Sequence, residues 1–145
     1  MNDFIIVPFQ VADIFKIDLR EHDKQVLSLH DLAVMLSAPN SFAGTCTSDG
    51  EIVAIIGVTV LWDGVAEVYV LPGKTLPSVG FKLVRTLMRY MDAVSKTHRL
   101  HRIQTTARDD AATEKWMKTL RFTKEGDLKQ FTKNKDNYCM WARYF

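Results

Sequence analysis

The apolar residues of this chain change their spacing along its length, and each change marks an element. From Gly80 to Lys96, Phe81, Val84, Leu87, Met88, Met91 and Val94 recur at three- and four-residue steps, with Lys82, Arg85, Arg89 and Asp92 between them. That is the period of a helix with one buried stripe. Just before it, Glu67–Leu71 is rich in β-branched and aromatic residues, reads as a strand, and is stopped by Pro72-Gly73. A loop running from a strand into a helix N-terminus presents unpaired backbone N–H groups and the positive end of the helix dipole. Such a loop is a place for a phosphate, and it is equally an ordinary β-to-α connection.

From the start of the chain, Phe4–Phe9 reads as a short apolar strand, with Pro8 marking an edge or an end. Val11, Ile14, Phe15 and Leu19 then mark a helix face, and the charged run of residues 18 to 24 reads as a solvated helix end or loop. A second helix starts near Ser28, carries Leu29, Leu32, Ala33 and Leu36, and ends before Pro39; Asp31, three residues after Ser28, fits a capping box. Phe42–Thr47 is a strand, Ser48-Asp49-Gly50 a hairpin turn, and Glu51–Leu61 a nearly continuous apolar strand that predicts burial on both faces. Gly57 within it marks a bulge or a close backbone approach, and Trp62-Asp63-Gly64 is a second turn.

After the long helix, Arg102–Ala107 is a strand. Asp109 or Asp110 caps a short helix running to Lys118, with Ala112, Trp116, Met117 and Leu120 as its apolar side. Asp127–Phe131 and Tyr138–Phe145 pair as a closing hairpin across a polar tip at residues 133 to 137. The predicted order is β-α-α-β-β-β-α-β-α-β-β, an α/β chain with a mixed sheet and helices on its faces.

Composition narrows the function classes. A length of 145 residues predicts one domain over residues 1–145, and 47% hydrophobic with 25% charged residues excludes a disordered chain. A formal net charge of +2 is too small to make nucleic acid or an anionic membrane the main partner. Cys46 and Cys139 are far apart without metal spacing, which predicts reduced thiols and a cytoplasmic protein. No apolar run reaches the length of a membrane span, and the first residues lack a signal-peptide pattern.

Two motifs carry more. Val70-Leu71-Pro72-Gly73-Lys74-Thr75-Leu76-Pro77-Ser78-Val79-Gly80 aligns without a gap to a pattern V-x-P-x-x-(Arg/Gln)-x-x-Gly-x-(Gly/Ala), with Thr75 at the Arg/Gln place and Ser78 at the first glycine. Asp109, Ala112, Trp116 and Lys118 align to Asn-x-x-Ala-x-x-x-Tyr-x-Lys-x-Gly-Phe, with Trp116 at the tyrosine, and Arg121 and Phe122 take the Gly-Phe places after one extra residue. With the element order, these resemble the GNAT superfamily of acyl-CoA-dependent N-acyltransferases over essentially the whole chain. The resemblance implies a GNAT-like fold and acetyl-CoA or CoA as cofactor. It implies coenzyme contacts at Val70, Leu71, Lys74, Thr75, Ser78, Val79, Gly80, Asp109 and Trp116, and an unknown amine as acceptor.

Glu67, on the fourth strand, is the candidate general base, with a solvent-facing strand carboxylate as the alternative. A strand N–H near Val70 or Leu71 would polarise the thioester carbonyl. Indole N–H does not titrate near neutral pH, so Trp116 is no acid; Tyr138 or Tyr144 on the last hairpin could supply a hydroxyl instead. His22 and His30 fall in the region expected to wall the acceptor, while His98 and His101 read as structural. Pro77 and the altered loop positions weaken phosphate binding.

Within the superfamily the chain is most similar to small bacteriophage proteins with an acetyltransferase-like domain, including internal virion and head-assembly proteins. The residues shared are Asp18-Leu19-Arg20 with Asp23, a hairpin strand running into Gly73-Lys74, and the degenerate loop. That resemblance implies a second function, a catalytically degenerate scaffold with phage structural proteins as partners, located in the host cytoplasm or the virion.

Overall fold

In the computed structural model, residues 4–19, 28–74 and 80–145 are described, with backbone only at 80 and 81. Seven strands form one sheet: β1 (Phe4–Pro8), β2 (Ser41–Ser48), β3 (Glu51–Trp62), β4 (Val65–Pro72), β5 (Arg102–Arg108), β6 (Thr123–Leu128) and β7 (Tyr138–Tyr144). Four helices cover it: α1 (Val11–Lys16), α2 (Leu29–Leu36), α3 (Gly80–Thr97) and α4 (Ala111–Thr119). The order across the sheet is β1-β2-β3-β4-β5-β7-β6. Every neighbouring pair is antiparallel except β4 and β5, which are parallel because α3 returns the chain to the starting end of the sheet. No helix among the described residues is long and apolar enough to cross a membrane.

The long strand β3 is central, as its unbroken apolar run predicted: Val53–Val58 is buried throughout. Its two faces feed two cores. On one, Ala54, Ile56 and Val58 meet Leu83, Leu87 and Met91 of α3, with Met117 and Leu120 of α4. On the other, Ile55 and Leu71 meet Ile14 of α1 and Leu32, Ala33 and Leu36 of α2. Gly57 is the point of closest approach between α2 and the sheet, since a Cβ there would lie 2.3 Å from Cδ2 of Leu36. The bulges fall elsewhere, at Cys46/Thr47 and Val60/Trp62.

Local chemistry explains the ends. Ser28 caps α2 by accepting from the Asp31 N–H at 3.1 Å, and Asp110 caps α4 by accepting from Thr113 at 2.8 Å. Asp49-Gly50 turns β2 into β3 with φ of 52° and 80°, the left-handed pair a two-residue hairpin needs.

Three expectations are corrected. Val11 and Phe15 do not share a buried face with Ile14; they are 49% and 62% exposed, because α1 is one short helix whose only buried side chain is Ile14. Ala112 is exposed, so the buried side of α4 is carried by Met117, with Leu120 just past its end. The sixth strand begins at Thr123, not Asp127, and ends at Leu128. The pairing Thr123↔Ala142 to Leu128↔Tyr138 sets that register, and Gln130 at φ 54° turns the chain away.

Candidate active site

β4 is held differently on its two edges. Toward β3 it is paired from Val65 to Pro72. Toward β5 the pairing covers only Val65↔Arg102, Ala66↔Ile103 and Glu67↔Gln104. Beyond Glu67 the parallel pair parts, while β5 continues to Arg108 along β7. The opening points toward the end of the sheet where β4 runs out toward α3.

Hydrogen-bond phase says which groups line it. Gly73 donates to the Val53 carbonyl at 2.9 Å. Alternation along a strand with no irregularity from Ala66 to Pro72 then turns the N–H groups of Glu67, Tyr69 and Leu71 toward β3, and those of Val68 and Val70 toward β5; the Glu67↔Gln104 rung takes up that of Val68, which leaves Val70 facing the opening. Pro72 points the same way as Val70, so its missing N–H removes no ladder bond. On the far wall, Phe145 donates to the His101 carbonyl at 3.0 Å, which places the backbone groups of Thr106 and Arg108 on the side facing β4. Of the two expected oxyanion donors, geometry favours Val70; the Leu71 N–H belongs to the β3 ladder.

Side chains follow the same alternation. Leu71 packs under α1 and α2, so Tyr69 and Glu67 share that face of the sheet. Gln104, register partner of Glu67, lies there too, with Thr106 and Arg108 beyond it. Tyr69 donates its hydroxyl to Oε2 of Glu67 at 2.6 Å. Burial, then this bond to a carboxylate, push the Tyr69 phenol well up. A fixed carboxylate therefore stands half-buried at the root of the opening. Sequence reasoning missed Tyr69, although a residue two positions from Glu67 on a strand had to share its face.

A second polar group ties the floor together. Arg102 grips Glu125 of β6 with both Nη atoms, at 2.9 and 2.6 Å, and donates Nε to Gln104 at 2.9 Å. Tyr144 also donates to Glu125. The guanidinium, then the phenol, hold the Glu125 carboxyl down at about 2. Tyr144, one of the two hydroxyls considered as an acid, is engaged here.

The remaining expected residues are scattered. Tyr138 is buried on β7, paired with Arg108 and packed on Phe131 with ring centroids 5.3 Å apart. Lys74 sits in the turn after β4, its backbone N–H on the Asp18 carbonyl at 2.8 Å and its ammonium 3.4 Å from the Asp18 carboxylate. Gly80 begins α3, directly beyond the opening. Thr75, Ser78 and Val79, with Pro77 and His22, lie outside the described residues. His30 is exposed on α2.

Trp116 is half-buried against the α3-side core. Asp109 turns across the sheet: its carboxylate lies within 4.8 Å of ligand atoms of Cys139 and Asp127, one and two strands past β5. Burial, then the neighbouring Asp109, push the Cys139 thiol up, and Lys124 pairs with Asp127 at 3.0 Å. That cation offsets one of the two carboxylate charges.

Compared with family profiles and with curated proteins, the sequence matches none. Solved structures do match. Ard1 from Thermoplasma volcanium superposes with a TM-score of 0.80 at 16% identity, over 97% of each chain. An acetyltransferase of the GNAT family from Streptococcus pneumoniae gives 0.72 at 14%, over 99% of this chain and all of that one. A ribosomal-protein alpha-N-acetyltransferase in complex with coenzyme A gives 0.74 at 12%, over 99% and 94%. At such identities the likeness is one of fold: the chain has the mixed α/β fold of GNAT-family acetyltransferases.

Proposed function

We propose that the chain binds acetyl-CoA in the opening between β4 and β5 and transfers the acetyl group to an amine presented beside Glu67. The observation that carries this is the end of β4–β5 pairing at Glu67↔Gln104, which frees the Val70 N–H without loss to the β3 ladder. Bound acetyl-CoA would supply an acetyl thioester activated toward amines. Val68, Val70 and Leu71 would line it along β4. The N-terminus of α3 at Gly80, with Lys74, Thr75, Ser78 and Val79, would hold its phosphates.

This chain's own groups do the rest. Glu67, steadied by Tyr69, accepts the proton the amine loses as its nitrogen–carbon bond forms. The Val70 N–H stabilises the negative charge that builds on the carbonyl oxygen. As the carbon–sulfur bond breaks, the thiolate takes one proton, and Tyr138 is the hydroxyl proposed to give it.

Isothermal titration with acetyl-CoA tests the reading. At about 100 times Kd, binding stabilises the fold by about 2.7 kcal/mol, and the melting temperature rises by roughly 8 °C. No heat and no shift with either acetyl-CoA or CoA would sink it.

One observation favours a second reading. Of two residues that the aligned pattern places at the coenzyme, Trp116 packs on the core and the exposed Asp109 carboxylate lies beside Asp127 and Cys139. A GNAT-fold accessory or virion-assembly protein of a bacteriophage, keeping the scaffold without the chemistry, fits that departure. It predicts no coenzyme binding and capture of a phage structural protein from infected cells.

A further inference from the structure

The two edges of the sheet are finished in opposite ways. β6 carries Lys124, Glu125 and Asp127, a glycine, and a register shift between Lys124 and Gly126. Charges and bulges of this kind stop an edge from pairing with another chain. β1 has none of them. It runs Phe4-Ile5-Ile6-Val7-Pro8 without a charge, pairs in unbroken register with β2, and leaves Ile5 59% and Val7 40% exposed.

The backbone of β1 is arranged to receive a strand. Phe9 donates to the Ala43 carbonyl, so Ile5 and Val7 turn their N–H and C=O groups toward β2, and Phe4, Ile6 and Pro8 turn theirs outward. The free edge therefore offers the N–H of Phe4 and Ile6 and the carbonyls of Phe4, Ile6 and Pro8. We propose that β1 pairs antiparallel with β1 of a second copy of this chain, about a two-fold axis through Ile6, joining the two sheets into one.

Self-complementarity selects a second copy as the occupant. In this register Ile6 exchanges both bonds with Ile6 of the second copy, and each Phe4 N–H donates to the Pro8 carbonyl of the other. Phe4 faces the one residue that needs no acceptor. Sliding so that Pro8 meets Pro8 would set two carbonyls opposite each other with no donor. The strand carries no charge, so an identical strand meets no like-charge repulsion. A two-fold contact of this kind is isologous and closes at two chains.

The same register sets Ile5 opposite Val7 of the second copy in a non-hydrogen-bonded pair, where side chains approach most closely. Both side chains lie on the α1 side of the sheet, the side on which Thr45, partner of Val7, donates to Asp13. The axis lies three strands from β4, so each coenzyme opening stays whole within its own chain. The proposal thus stands or falls apart from catalysis.

Sedimentation equilibrium of the wild-type chain is expected to show twice the 16.6 kDa of one chain. The Ile5→Lys/Val7→Lys variant should sediment as one chain, with its melting curve still cooperative. The register is tested by oxidising Ile5→Cys mixed with Val7→Cys. The mixture should give a covalent dimer, and either variant alone should give far less. Cys46 and Cys139 are buried and do not compete. A wild-type chain that stays monomeric to high micromolar concentration overturns the proposal and leaves the edge to another protein's strand. A dimer that survives the lysines, or cross-linking that ignores the mixture, overturns it as well.

Discussion

The two walls of the opening are built from different material. On the β4 wall the group proposed to work is backbone: the N–H of Val70, which lies past the last rung between β4 and β5. On the β5–α4 wall the groups expected to work are side chains, and they have gone elsewhere, Trp116 into the core and Asp109 across to Asp127 and Cys139. A backbone site depends on strand geometry, which many sequences satisfy. A side-chain site is lost with one substitution.

The largest test of this contrast is Val70→Pro. The Val70 N–H faces the opening, so the β3 ladder should survive, while transferase activity falls by about 10²–10³-fold in kcat/KM, as when one oxyanion donor is removed. Leu71→Pro is the control on the opposite edge. It removes a ladder bond to β3 and a buried side chain, and is expected to cost about 3 kcal/mol or more in urea unfolding. Equal stability losses for the two prolines would break the assignment of which edge is free.

Glu67→Gln comes next, at roughly 10²-fold in kcat with the coenzyme Kd unchanged. Tyr69→Phe should lose about tenfold or less, since Glu67 keeps its place and loses one hydrogen bond. Trp116→Ala, on the other wall, is expected to cost about 1–2 kcal/mol of stability, below the range for a fully buried tryptophan, with coenzyme affinity falling in proportion to unfolding only. Asp109→Ala should change acetyl-CoA affinity by less than about twofold, because its carboxylate faces β7 and β6. A tenfold loss there would return the side chain to the coenzyme site.

A pH titration gives the smallest effect. The folded state holds Glu125 at about 2 against an ordinary 4.5. A carboxylate with a depressed folded value stabilises above its unfolded pKa and loses that contribution as pH falls toward the folded one. Thermal stability should therefore decline between about pH 4.5 and 2, and Glu125→Gln should flatten part of that slope. High salt should shrink the effect, because the pair sits at the surface with solvent on one side.

Much of the fold was legible because it is written in local periods. The stripe of α3, the unbroken apolar run of β3, the Ser28 cap and the Asp49-Gly50 turn each depend on residues within a few positions of one another. The errors came where partners are distant. The start of β6 is set by its pairing with β7, and the exposure of Phe15 by how little of α1 reaches the sheet. The candidate site divides the same way. Glu67 and Val70 were legible from a strand leading into a loop and helix; the bond from Tyr69 needed only the two-residue period. The Arg102–Glu125 grip joins residues 23 apart in sequence.

By itself the sequence determined that residues 67 to 71 would be an extended strand followed by a helix, because side-chain size, β-branching and Pro-Gly act on the nearest backbone. It could not decide where β5 would stop pairing with that strand, or that Asp109 would turn toward Cys139. Those outcomes depend on how sheet twist, the α3 crossover and the β7 register are satisfied together, and no stretch of chain carries that information alone.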